Sequence, residues 1–214
     1  MNKGFLAIAA VIVAVAGGAG WYFGGPSEPT EAAVETVAMV DGVQEMTLGA
    51  DDAPVEIIEY ASYTCPHCAR FHEGPFKQLK TDYIDTGKVK FTYREVYFDR
   101  FGLWGSMVAR CGGEQKFFGI TTELYAQQSE WARLQDPVAI ADALRKIGRT
   151  AGMNNEQLDA CLNDAEQAET LVAWYEANAA RDGISSTPSF VIDGRTYSNM
   201  NFAEFQSIID AKLN

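Results

Sequence analysis

The chain has 214 residues, of which 47% are hydrophobic and 21% charged. These values exclude a largely disordered polypeptide and fit one well-buried domain, or a domain with an insertion. The formal net charge is −12, which sets aside binding to nucleic acid, because a protein that grips phosphate backbones needs basic surface.

The first 25 residues are apolar: Lys3 is their one charged side chain, and the next is Glu28. One interpretation is a signal peptide cleaved at the small residues 14–16. The other is an uncleaved anchor over 5–25, which at ~1.5 Å per residue is long enough to cross ~30 Å of hydrocarbon. We favour the anchor because the apolar run continues past 14–16. Both place the rest of the chain outside the cytoplasm, where disulfides persist.

Residues 26–45 are rich in Pro, Glu and Ala, which indicates an acidic tether rather than a domain. We assign the folded domain to 46–214. Its first clear signal is "PVEIIEYAS" at 54–62, a short apolar run that predicts a buried strand. A second strand is predicted for "KVKFTYREV" at 88–96, where large apolar residues alternate.

A helix is predicted between these strands. It begins at Pro66, because proline is well tolerated at the first helical position. It runs to about Thr86, with a bend at Gly74–Pro75, and Gly87 ends it.

From about 100 to 182 the apolar spacing is helical. Residues typical of helix N-caps open three helices in this block, at Asp136, at Asn154 or Asn155, and at Asp164. A hairpin with an Asp193–Gly194 turn follows, and then an amphipathic helix capped by Asn201. The order predicts a small α/β sheet with a helical insertion before the hairpin.

The motif "CPHC" at 65–68 allows four interpretations. Haem attachment needs His directly after the second cysteine, where this chain has Ala69. A zinc site needs four ligands, and Cys65, Cys68 and His72 supply three. A structural disulfide between residues three apart gains little from loop closure.

A redox-active pair explains more of the motif. Cys65 lies at a helix N-terminus after a strand, where unpaired N–H groups and the helix dipole lower a thiol pKa. His67 can add positive charge in the same turn, and Pro66 fits the first helical position. Cys68, one turn further, would resolve a mixed disulfide.

The stretches "EYASYTCPHCARF" and "STPSFVIDG", with the helical block between them, resemble the DsbA family of periplasmic thiol-disulfide oxidoreductases. The resemblance covers about residues 46 to 213. It implies a thioredoxin fold with a helical insertion between the central strand and the C-terminal hairpin. It also implies a monomer that needs no metal and no cofactor beyond the Cys65–Cys68 disulfide. Reduced exported proteins would be its substrates, and a membrane quinone-linked protein of the DsbB type would reoxidise it.

The resemblance implies further site residues. Thr187–Pro188 would be a cis peptide bond beside Cys65, with its backbone holding a substrate segment in extended form. Glu59 would be a buried acid below the cysteines that assists proton movement, although a solvated strand edge is an alternative for it. The family's lysine partner for this acid is replaced here by Tyr93 or the nearby Arg94.

The remaining two cysteines, Cys111 and Cys161, lie in the predicted insertion. We favour a structural disulfide between them, closing a loop of ~50 residues and contributing ~4 kcal/mol in the chain-entropy model. Two buried free thiols are the alternative. His72 is interpreted as a helix residue with satisfied hydrogen bonds rather than as a catalyst.

Three functions are open at this point. The first is an exported oxidase that donates the Cys65–Cys68 disulfide to reduced secreted proteins. The second is an isomerase or reductase of the same fold, because Thr before Pro188 is commoner in those branches. The third is a non-catalytic binding module that has kept the fold.

Overall fold

The structure is a computed structural model, and it describes residues 42–213. The predicted signal or anchor over 5–25 and most of the tether lie outside this range. Within the described residues, none of the helices has the length and apolar character needed to cross a bilayer.

The strands of residues 42–213 form one five-stranded sheet in the order β1-β3-β2-β4-β5. They are β1 (Met46–Leu48), β2 (Val55–Ala61), β3 (Val89–Glu95), β4 (Ser189–Ile192) and β5 (Arg195–Ser198). Strand β2 is central; it runs parallel to β3 and antiparallel to β4. Its apolar side chains are buried apart from the half-buried Ile58, as expected for a central strand covered on both faces. This arrangement confirms the predicted thioredoxin fold.

Strand β1 was not predicted. It is three residues long and pairs antiparallel with the edge of β3, opposite residues 91 to 93. Just before it, Glu45 accepts a hydrogen bond from the Arg94 guanidinium at 2.6 Å, and the Gln44 carbonyl accepts one from Arg110 at 2.9 Å. The last two residues of the predicted tether therefore lie against the folded domain.

The described helices fall into two groups. Those that flank the sheet are α1 (Pro66–Glu73), α2 (Pro75–Leu79) with a π-helical turn at Lys80–Ile84, and the C-terminal α9 (Phe202–Leu213). The insertion consists of α3 (Arg100–Cys111), α4 (Glu114–Ala126), α5 (Gln128–Trp131), α6 (Pro137–Thr150), α7 (Asn155–Leu162) and α8 (Ala165–Arg181). The helical insertion was thus predicted with nearly the right bounds.

The helix expected over 66–86 is divided into three pieces. Gly74 leaves helical geometry with φ −123° and ψ −88°, and α2 starts at Pro75. Proline at that point has no N–H to continue the hydrogen bonds of α1. Gly87, with φ +73°, ends the segment in the left-handed region, as predicted for a helix-ending glycine.

The predicted N-caps are confirmed. The carboxylates of Asp136 and Asp164 accept hydrogen bonds from Val138 N–H at 3.1 Å and Gln167 N–H at 2.9 Å. Asn154 opens α7 through a reciprocal capping box with its third helical residue. Such short polar side chains accept from orphan N–H groups of the first turn, which is why the helix starts can be read from the sequence.

A buried ion pair joins the sheet to the insertion. Glu95, at the end of β3, accepts two hydrogen bonds of 2.7 Å from Arg110 on α3. Ser106 donates a third to the same carboxylate at 2.8 Å. Because Glu95 is 1% exposed, its charge depends on these partners, and the contact fixes α3 beside the end of β3.

Candidate active site

Cys65 lies where β2 passes into α1. It is the N-cap of α1, with extended φ and ψ of −83° and 118°, and Pro66 follows at the first helical position. Cys65 and Cys68 are both reduced in the structure. The Cys65 sulfur therefore faces the unpaired N–H groups and positive end of the helix dipole, an arrangement that stabilises an anion.

These contacts lower the pKa of Cys65 from its ordinary value of 9.0 to about 5. The largest cause is a hydrogen bond from the Cys68 thiol, and partial burial works against it. Thr187 and the backbone N–H groups of His67 and Cys68 lower the pKa further. Cys65 is thus mostly thiolate at neutral pH, the form that attacks disulfides and leaves from them.

Cys68 has the opposite properties. Its side chain is fully buried, and burial raises the pKa of Cys68 far above the ordinary thiol value. The hydrogen bond to the Cys65 sulfur and the nearby charge of Glu59 raise this pKa further. The two sulfurs therefore differ in protonation: Cys65 is held as a thiolate and Cys68 as a buried thiol.

The peptide bond between Thr187 and Pro188 is cis. It brings the Thr187 carbonyl to 3.5 Å from the Cys65 sulfur, where the thiol can donate to it. The Thr187 hydroxyl is buried without a hydrogen bond of normal geometry among the described residues, although its side chain still helps to stabilise the thiolate. Pro188 leads directly into β4, so the backbone beside Cys65 continues the edge of that strand.

Two contacts from the insertion hold the segment around Cys65. The buried Gln128 amide donates to the Tyr63 carbonyl at 2.8 Å and to the Cys65 carbonyl at 2.9 Å. The Thr64 hydroxyl donates to Asp99, the N-cap of α3, at 2.7 Å. Sequence reasoning missed both contacts, because neither a single Gln nor a single Asp in a helical block carries a signal of the segment it meets.

Glu59 lies in the centre of β2 and is completely buried. A solvated strand edge was the alternative for this residue, and the structure does not place it there. It pairs in register with Tyr93 on β3, which agrees with the expectation that Tyr93 occupies the lysine position of the family. Burial raises the pKa of Glu59, His72 opposes that rise, and the charge on Cys65 adds to it.

The partner of Glu59 is His72, not Tyr93 or Arg94. His72 Nε2 lies 2.8 Å from Glu59 Oε2, and the imidazole is stacked on Tyr125 with ring centroids 4.4 Å apart. His72 is thus a helix residue with a satisfied ring nitrogen, as expected, but sequence reasoning did not identify the buried Glu59 as its partner. The available signal was its position four residues after Cys68, which puts both side chains on one face of α1.

His67 is exposed, and its Nδ1 lies 2.8 Å from the Arg70 guanidinium. Its backbone N–H contributes to the Cys65 site. Among residues 42–213 the structure has no cluster of three or more side chains arranged to hold a metal ion.

The insertion disulfide joins Cys111, at the end of α3, to Cys161 on α7. The two residues are 50 positions apart in the sequence, with Cα atoms 6.0 Å apart. It ties two helices of the insertion together.

The geometry agrees with comparisons to known proteins. Residues 41–211 match the model of a family described as thioredoxin. The crystal structure of alpha-DsbA1 from Wolbachia pipientis superposes with a TM-score of 0.73 at 25% identity, covering 78% of this chain and 90% of that one. The chain belongs to the DsbA-like family of the thioredoxin superfamily.

Two other similar proteins bear on function. A protein-disulfide isomerase from Novosphingobium aromaticivorans superposes with a TM-score of 0.71 at 27% identity, covering 79% of this chain and 97% of its own. A protein of Rickettsia bellii, provisionally named a protein-disulfide oxidoreductase, is 32% identical over 170 residues, or 79% of this chain. The chain spans 64% of the length of that curated relative.

Proposed function

We propose that this DsbA-like protein is an exported thiol-disulfide oxidoreductase that donates the Cys65–Cys68 disulfide to reduced secreted proteins. The observation that carries the proposal is the contrast between the two thiols, in which Cys65 is held as a thiolate and Cys68 as a buried thiol. A pair that stabilises its reduced form in this way is a strong oxidant, because reduction yields a stable thiolate.

The exchange begins when a substrate thiolate attacks the Cys65 sulfur of the oxidised pair. The Cys65–Cys68 bond breaks, a mixed disulfide forms between Cys65 and the substrate, and the Cys68 thiolate takes up a proton. A second substrate thiolate then attacks the substrate's own sulfur. The substrate disulfide forms, Cys65 leaves as a thiolate, and two electrons have passed from substrate to enzyme.

The cis bond at Pro188 supports a binding mode for the substrate. Its backbone runs beside the Cys65 sulfur into β4, so an extended substrate segment can pair with the Thr187 backbone by strand addition. Glu59 is the group we assign to proton movement at Cys68, because its charge couples to both cysteines.

Location and reoxidation are part of the same proposal. Lys3 before an apolar run supports export, and an uncleaved segment over 5–25 would hold the domain, through its tether, at the outer face of the membrane. A membrane quinone-linked partner of the DsbB type would take up the two electrons. We propose that the protein works as a monomer.

The second candidate is an isomerase or reductase. Thr187 before Pro188 favours it, and the Novosphingobium neighbour carries an isomerase name. Reduced ribonuclease without glutathione separates the two: an oxidase forms one ribonuclease disulfide per enzyme disulfide, whereas an isomerase acts only on ribonuclease that already holds wrong disulfides.

Replacing Cys65 with serine tests the whole proposal. We expect Cys65→Ser to abolish both thiol oxidation and insulin reduction, because the attacking sulfur is gone. A serine replacement of both cysteines of the insertion disulfide is the matched control, since it removes two sulfurs without touching the proposed redox pair. Exchange that is unchanged in Cys65→Ser would overturn both the oxidase and the isomerase or reductase.

A further inference from the structure

A second buried pair, Glu59 and His72, lies beneath the cysteines. The proposed function assigns a role to Glu59 but none to His72. His72 Nε2 and Glu59 Oε2 are 2.8 Å apart, and both side chains are almost entirely inaccessible to solvent. The other carboxylate oxygen, Oε1, is buried and has no hydrogen-bond partner among the described residues. That oxygen is free to exchange a proton.

The titratable groups facing the pair come from each element packed against it. They are Cys65 at the N-cap of α1, Cys68 on α1, Tyr93 on β3 and Tyr125 on α4. The hydroxyls of the two tyrosines lie 2.6 Å apart. Burial raises the pKa of both tyrosines well above the ordinary value, so they stay neutral at working pH. The groups left to trade a proton at neutral pH are the two cysteines and Glu59.

A carboxyl group that is buried without a partner stays protonated, since removing an unpaired charge from water is costly. A protonated Glu59 could not accept a proton from Cys68. His72 counters this, because its ring nitrogen pairs with the ionised carboxylate and lowers the pKa that burial has raised.

We propose that His72 is the positioning residue of the resolving step: its imidazole holds Glu59 as a carboxylate, so that the free oxygen Oε1 can take the Cys68 proton. The inference rests on the proposed function and deepens it. When Cys68 attacks the mixed disulfide at Cys65, its proton passes to Glu59 and the Cys68 thiolate forms the new S–S bond. The thiolate of the other molecule leaves. In the opposite direction, Glu59 returns the proton to Cys68.

The resolving step can be measured alone with dithiobis(nitrobenzoate) in a stopped-flow instrument. The Cys65 thiolate attacks the reagent and releases one coloured thiolate in a concentration-dependent phase. Cys68 then attacks Cys65 and releases a second in a phase independent of reagent concentration. We would record the rate of this second phase against pH for the wild type and for His72→Phe, His72→Gln and Glu59→Gln.

For the wild type we expect the logarithm of the rate to rise with pH and then level off once Glu59 is ionised. In His72→Phe the rate of the second phase levels off at a higher pH. For each pH unit by which the levelling moves, this rate falls about tenfold at any fixed pH below the levelling of both proteins. His72→Gln keeps an N–H donor and restores levelling toward that of the wild type. Glu59→Gln removes the base and leaves a rise without levelling.

Levelling at the same pH in His72→Phe and the wild type would overturn the proposal, and so would levelling that persists in Glu59→Gln. Glu73→Gln, which removes an exposed carboxylate at the end of the same helix, is the matched control and must keep the levelling. If His72→Phe fails to fold, the pH dependence of the second-phase rate in His72→Gln and Glu59→Gln still tests the proposal. These outcomes concern the second phase alone, whereas a failure of the proposed function would appear as unchanged exchange in Cys65→Ser.

Discussion

The stabilised Cys65 thiolate makes the stability of the reduced protein depend on pH. The perturbation is Cys65→Ser, which removes the titrating group and leaves the fold around it. The pKa of Cys65 falls from 9.0 in the unfolded chain to about 5 in the folded one. A group with a depressed pKa contributes stability that is fully present above its unfolded pKa and is lost as pH falls through its folded pKa.

The magnitude follows from these values. At pH 7 the solution lies about two pH units above the folded pKa, and each unit corresponds to about 1.36 kcal/mol, so the contribution at pH 7 before screening is about 2.7 kcal/mol. Cys65 is only partly buried, with 9% of its surface exposed, and the solvent that reaches it screens part of this contribution. We therefore expect the reduced wild type to gain about 1–2 kcal/mol relative to Cys65→Ser between pH 4 and pH 7.

Urea unfolding under a phosphine reductant measures this difference at pH 4, 5, 6 and 7. The oxidised wild type is the control, since its Cys65 carries no titrating thiol. If the free energy of unfolding differed between the reduced wild type and Cys65→Ser by the same amount at pH 4 and pH 7, the reasoning about the thiolate would be refuted.

Three further predictions concern stability. Gln128→Leu removes the amide donor to the Tyr63 carbonyl and one of the two donors to the Cys65 carbonyl, which keeps the Ala69 N–H. It should lower the free energy of unfolding in urea by about 1–3 kcal/mol. The control Gln127→Leu, whose amide bonds at the surface, should change it by less than about 0.5 kcal/mol, and equal effects would contradict the role of the buried amide. Arg110→Met leaves the Glu95 carboxylate buried without its cation, so the free energy of unfolding, measured by thermal unfolding, should fall by about 3–5 kcal/mol. A fall of less than about 1 kcal/mol would be inconsistent with that pairing. Serine at both positions of the insertion disulfide should cost about 4 kcal/mol, and unchanged stability would mean that the bridge does not restrict the unfolded chain.

Much of the fold could be predicted because its signals are local. The caps at Asp136, Asn154 and Asp164 act within one turn of the chain, and the Asp193–Gly194 turn needs only the two strands it joins. Strand β1 could not be predicted in this way. With three residues it has too few positions to show alternation, and its pairing with β3 is visible only in three dimensions.

The site divides along the same line. The CPHC motif and its helix position are adjacent in the sequence, and so the roles proposed for Cys65 and Cys68 could be argued from the residues. The pairing of Glu59 with His72 joins positions 13 apart on a strand and a helix, and Gln128 reaches Cys65 across 63 positions. Such contacts depend on how the elements pack, which no local pattern encodes.

The redox equilibrium of the Cys65–Cys68 pair with glutathione tests the central claim most directly. The stabilised thiolate predicts that the pair is more oxidising than glutathione, so that it is mostly reduced in an equal mixture of reduced and oxidised glutathione at pH 7. Its potential should also become less oxidising in a variant that raises the pKa of Cys65. A strongly reducing potential, like the value of about −270 mV for thioredoxin, would contradict the proposed oxidase and favour a reductase.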